Sequence, residues 1–85
     1  MLVVVTREEV MESIKDRIIE NINSELLLCG ETGYVIERSE CGNREIAIKL
    51  GEEIAELYRE EGYNVDTYEY GTSNREDYIR INISL

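Results

Sequence analysis

Residues 43–62 read NREIAIKLGEEIAELYREEG, and how this stretch is read places the rest of the chain. Ile46, Ala47, Leu50, Ile54, Leu57 and Tyr58 recur at the three-and-four spacing of one buried helical stripe. The opposite side carries Glu45, Lys49, Glu52, Glu53, Glu56, Arg59 and Glu60. Asn43 suits the N-cap, because its side-chain oxygen accepts from free amides of the first turn, and Glu45 favours the positive end of the helix dipole. Gly62 can take the left-handed conformation that closes a helix. Gly51, in the interior, costs about 1 kcal/mol relative to alanine, a cost that a close helix crossing explains.

Downstream, Tyr63–Tyr70 and Tyr78–Leu85 alternate with period two and are separated by the turn-forming run Gly71 to Asp77, so they read as a hairpin. In the last strand Ile79, Ile81, Ile83 and Leu85 point one way. Strict alternation sends Tyr78 and Arg80 the other way, next to Tyr68 and Tyr70 of the preceding strand.

Upstream, Leu2–Val5 is a continuous β-branched run, as expected of a strand covered on both faces or paired in a dimer. Thr6 and Glu9 make a capping box, with Val5 and Val10 placed as a hydrophobic staple. The first helix carries Val10, Met11, Ile14, Ile18, Ile19 and Ile22 on one face. It should weaken at Asn21-Ile22-Asn23-Ser24, where polar side chains compete for backbone hydrogen bonds. Glu25–Cys29 then reads as a strand ahead of a Gly30–Gly33 turn and a second strand from Tyr34, although Leu26 and Cys29 also keep helical spacing. The expected fold is a single α+β domain over residues 1–85, a mostly antiparallel sheet with two helices on one face, in the order β-α-β-β-α-β-β.

Nineteen acidic against nine basic residues give a formal charge of −10. Such a chain is repelled by nucleic acid and by anionic membranes, so the expected partners are proteins with basic or uncharged surfaces. Cys29 and Cys41 match no zinc spacing, and the chain has no histidine to complete a site. No apolar run reaches the roughly 18 residues needed to span a bilayer. These features predict a cytoplasmic protein with reduced thiols and no cofactor. A core drawn from so short a chain also predicts self-association, and a homodimer is expected through Leu2–Val5 and Leu26–Cys29.

Two constellations are candidate partner-binding sites. Glu52, Glu56 and Glu60 form an acidic ridge on the second helix, matched by Glu8, Glu12, Asp16 and Glu20 on the first. Like charges at this spacing each cost a few tenths of a kcal/mol. They can present carboxylates to a nucleic-acid-binding protein in place of phosphates, although a solvated helix face is the simpler account. Tyr68, Tyr70, Tyr78 and Arg80 form the other, since tyrosine and arginine dominate interface hot spots. Its simpler account is cross-strand packing on an open sheet face. Catalysis has less support. A carboxylate- or metal-dependent enzyme would lack histidine and any glycine-rich phosphate loop. Cys41 lies two residues before the Asn43 cap, where a helix N-terminus could stabilise a thiolate, but Glu40 is adjacent and no base is present; Glu69, Glu76 and Asp77 around the hairpin loop match no calcium consensus.

No family is matched by a specific motif. In general style, small, acidic, proline-free and built from helix and hairpin units, the chain is similar to the inhibitor proteins that bacterial viruses encode against host enzymes and defence systems. That likeness implies a non-catalytic inhibitor or adaptor and carries over no site residue.

Overall fold

The computed structural model describes residues 2–85. The elements are α1 (Arg7–Cys29), β1 (Glu31–Glu37), α2 (Arg44–Glu60), β2 (Asn64–Glu69) and β3 (Asp77–Ser84). The strands form one antiparallel sheet in the order β1-β3-β2. The α+β class stands, but the order is α-β-α-β-β, and two expected strands are not formed.

Glu25–Cys29, expected as a strand, is the last part of α1. The polar side chains expected to break the helix are satisfied without interrupting its run from Arg7 to Cys29. Ser24 donates to the carbonyl four residues back at Glu20 (3.0 Å). Asn23 accepts from the Tyr58 hydroxyl at 2.6 Å, and Asn21 donates to the Tyr34 hydroxyl at 3.5 Å. The helix ends at Gly30, which has φ 76° and donates to the Leu26 carbonyl. Glu31–Gly33, expected in a turn, opens β1 instead.

Leu2–Val5 forms no strand and is exposed. A strand requires a neighbour, and geometry removes this one. The 23 residues of α1 run about 34 Å. The seven-residue β1 that returns along it covers about 23 Å. The Thr6 cap, whose hydroxyl accepts from the Glu9 amide at 3.1 Å, therefore stands beyond the end of the sheet and carries Leu2–Val5 away from it.

The hairpin and α2 follow the sequence pattern. The Asn43 side chain accepts from the Ile46 amide at 3.1 Å, and Gly62 has φ 93° just after the helix end. Both helices cover the sheet face carrying Ile36, Ile79, Ile81 and Ile83, with Ile18, Ile22, Ile54 and Tyr58 in the same cluster. Gly51 is explained by the sheet rather than by the other helix. A Cβ there would lie 2.8 Å from Ile79 Cγ2, so the absent side chain sets how closely α2 approaches β3.

Pairing between β1 and β3 slips by one residue, from Ile36↔Ile79 to Glu37↔Asp77. Tyr78 is the extra residue of a β-bulge, which breaks the alternation of faces. Tyr78 consequently joins Ile79 in the core at 6% exposure.

Candidate functional site: the outer sheet face

The sheet face away from the helices has no layer over it. Strand register aligns Val35, Arg80 and Tyr68 in one cross-strand row and Gly33, Asn82 and Asp66 in the next. Glycine at position 33 has a local reason. A Cβ there would collide with the Arg80 guanidinium, so the missing side chain lets the arginine lie flat across β1. Arg80 Nε donates to Asn82 Oδ1 at 2.9 Å, which fixes that posture.

Beside Arg80, Tyr68 is 59% exposed and meets Tyr70 edge to face, with ring centroids 5.1 Å apart at 86°. The end of β2 is held from two sides. The Tyr70 amide donates to the Tyr78 carbonyl (3.0 Å), and the Tyr70 carbonyl accepts from Arg44 Nη2 at 2.6 Å. Arg44 stands at the start of α2, so the helix covering the inner face also positions the aromatic pair. Tyr68, Tyr70 and Arg80 therefore gather as expected from the sequence. Tyr78 does not join them, because the bulge turns it inward. The signal for this was present: Tyr78 and Ile79 are adjacent large apolar residues in an otherwise alternating strand.

Towards the start of β1 the outer face dips into a shallow cavity of about 490 Å³ lined by Glu31, Asp66, Arg80 and Asn82. Its charges are mixed, so it is not a basic groove of the kind that tracks a phosphate backbone.

The acidic ridge stands elsewhere. Glu52, Glu56 and Glu60 are all exposed on α2. Glu56 pairs with Arg59 at 3.3 Å, while Arg59 also donates to the Val65 carbonyl of β2. Lys15 reaches Glu53 across the two helices at 3.9 Å. Glu52 shares a hydrogen bond with Glu69 on β2, and this contact, with lesser contributions from burial and charge repulsion, raises its carboxyl above the usual range. Glu69 was not foreseen as a neighbour, since the pairing depends on how α2 lies on β2.

Two further groups are perturbed, both inside the helix–sheet packing. Tyr34 is pushed up to about 12, first by burial and then by the hydrogen bond it donates to Glu40. Tyr58 is raised by burial and then by Tyr63. Cys41 is buried, with its thiol directed at the Asn43 carbonyl, and both cysteines are free. Asn74 organises the hairpin loop by accepting from the amides of Glu76 and Asp77. Among the described residues no three potential metal-ligating side chains cluster, and no helix is long and apolar enough to cross a membrane. Compared with protein-family models, with characterised proteins and with solved structures, the chain has no match.

Proposed function

We propose that this chain is a small non-catalytic protein-binding module, an inhibitor or adaptor acting in the cytoplasm, that docks through its outer sheet face around Tyr68, Tyr70 and Arg80. One observation carries the reading: an uncovered sheet face on which an edge-to-face tyrosine pair, Tyr68 exposed and Tyr70 half-buried, adjoins an arginine held flat over Gly33. Aromatic and guanidinium groups of this kind bury large area at low conformational cost. The net charge of −10 selects partners with basic or uncharged surfaces. The style shared with viral inhibitors agrees with such a role.

The test compares capture of partner proteins by the parent and by Tyr68→Ala/Arg80→Ala. Truncating hot-spot residues costs on the order of 2 kcal/mol or more each, so the double variant should lose at least a hundredfold in affinity for any specific partner. Its melting temperature should change little, because Tyr68 is largely exposed. Equal capture by both proteins would remove the sheet face as the docking site.

A nucleic-acid mimic is the second reading, supported by the exposure of all three ridge carboxylates and by the crowding of Glu52 against Glu69. It requires a nucleic-acid-binding partner that added DNA displaces. Changing Glu52, Glu56 and Glu60 to lysine should abolish that complex, and binding that survives the triple change would end the mimicry reading.

A further inference from the structure

Exposed aliphatic side chains collect at the two ends of α1. At its start are Leu2, Val3, Val4, Val5 and Val10; at its finish are Leu27 and Leu28. Leu85 joins the second group, since its Cδ1 lies 2.9 Å from where a Cβ on Gly30 would stand. Leu2 is 98% exposed and Leu28 85%. Patches of this size on a monomer mark interaction surfaces.

One residue of each group, Val10 and Leu28, lies on a single line of the helix. Val10 and Leu28 are five turns apart, about 27 Å at 5.4 Å per turn, and so project in the same direction. Between them, on the same flank, come Arg17, Asn21 and Ser24, with a single charge among the three. This flank adjoins β1: Arg17 and Asn21 border a small cavity with Tyr34, and Val10 and Arg17 border the next one with Val5. Glu20 and Glu25 stand within a quarter turn of this line, one on each side, while Glu8, Glu12 and Asp16 project to the other side of the helix by the same periodicity. The flank is thus the part of α1 that a second chain of charge −10 can approach with the least repulsion.

We infer that this flank is the interface of a two-fold symmetric homodimer, in which two α1 helices pack antiparallel and the Leu2–Val5 segment of each copy covers the Leu27, Leu28 and Leu85 cluster of the other. The axis passes between Arg17 and Asn21, midway along the helix between Val10 and Leu28. Apolar ends therefore meet apolar ends, and the polar middles face each other. A two-fold contact of this kind is self-complementary and closes on itself. At the roughly 60–120 Å² implied for each buried aliphatic side chain, the eight named residues supply roughly 500–900 Å² per copy. A standard interface takes about 800 Å² per partner. The interface leaves the outer sheet face free, and this inference does not depend on what that face binds.

Light scattering at micromolar concentration should give twice the 9.9 kDa of one chain. Leu28→Glu, at an exposed helical position, removes two leucines per dimer. It should weaken association at least a hundredfold, with an unchanged circular dichroism spectrum. The register is tested in a Cys29→Ser background. There Val10→Cys with Leu28→Cys should oxidise to a covalent dimer, whereas Leu28→Cys alone should not, since the two copies' Leu28 residues sit at opposite ends. A parent of single-chain mass throughout the micromolar range, a dimer indifferent to Leu28→Glu, or efficient cross-linking by Leu28→Cys alone would overturn the inference.

Discussion

Replacing Gly51 by alanine sets two calculable effects against each other. The helix gains about 1 kcal/mol from losing an interior glycine. Against this, the new Cβ would stand 2.8 Å from Ile79 Cγ2, 3.0 Å from Ile79 Cδ1 and 3.4 Å from Ile36 Cδ1, where carbon atoms prefer about 3.5–4.0 Å. Neither isoleucine has room to retreat, because both are fully buried and a β-branched side chain is stiff at χ1. Overpacking a tight core costs about 1–3 kcal/mol, and two contacts this short belong in the upper part of that range. The net expectation is a loss of about 1–2 kcal/mol, which for a domain of this size lowers the melting temperature by about 4–8 °C per kcal/mol. Thermal and urea unfolding followed by circular dichroism, at one fixed protein concentration, measures it. Gly42→Ala is the control. A Cβ there meets nothing within 4 Å, so stability should hold or rise by about 0.4–1 kcal/mol. Adding Ile79→Val to Gly51→Ala removes one of the two crowding methyls and should cost less than the separate changes sum to. A Gly51→Ala protein more stable than its parent would refute the close approach of α2 to β3.

Tyr78→Ala should destabilise by about 3–5 kcal/mol, as removal of a buried aromatic does, whereas Tyr68→Ala should stay within about 1 kcal/mol; comparable effects in urea titrations would contradict the bulge. Glu52→Gln should raise the melting temperature near neutral pH and have little effect below about pH 4. Because the Glu52 carboxyl is raised in the folded chain by Glu69, its protonated form contributes stability that is complete below the ordinary glutamate value near 4.3 and is lost as pH rises through the elevated value. Above that, two carboxylates repel, and glutamine relieves them. The benefit should shrink with added salt, since both groups are exposed; no difference at low salt would separate the two carboxyls.

What was legible in the sequence is what local chemistry decides. Asn43, Gly62 and the stripe from Ile46 to Tyr58 define α2 within one stretch of chain, and the run after Gly71 makes the hairpin turn. What was not legible rests on distant partners. Asn23 stays helical because Tyr58, 35 residues on, donates to it, and nothing near Asn23 announces that. Leu2–Val5 has the composition of a strand but no sheet edge within reach, and composition carries no information about reach. Around the candidate site, alternation correctly grouped Tyr68, Tyr70 and Arg80. It failed at Tyr78, where β3 accommodates one more residue than β1, a relation between two strands that neither shows alone.

The order β1-β3-β2 places the last strand along this chain between the other two. Glu31 and Asn64 both pair with Ser84, so neither outer strand has its full set of backbone partners until the residues near 84 have left the ribosome. At about 5–20 residues per second, the interval between completing β1 and completing β3 is several seconds. For most of it the nascent polypeptide holds one unpaired strand, and after β2 is made it holds two, with helices that have no completed sheet to cover. The sheet of this domain therefore assembles only once β3 has been made, and a chain halted within the hairpin loop would be open to chaperones and proteases.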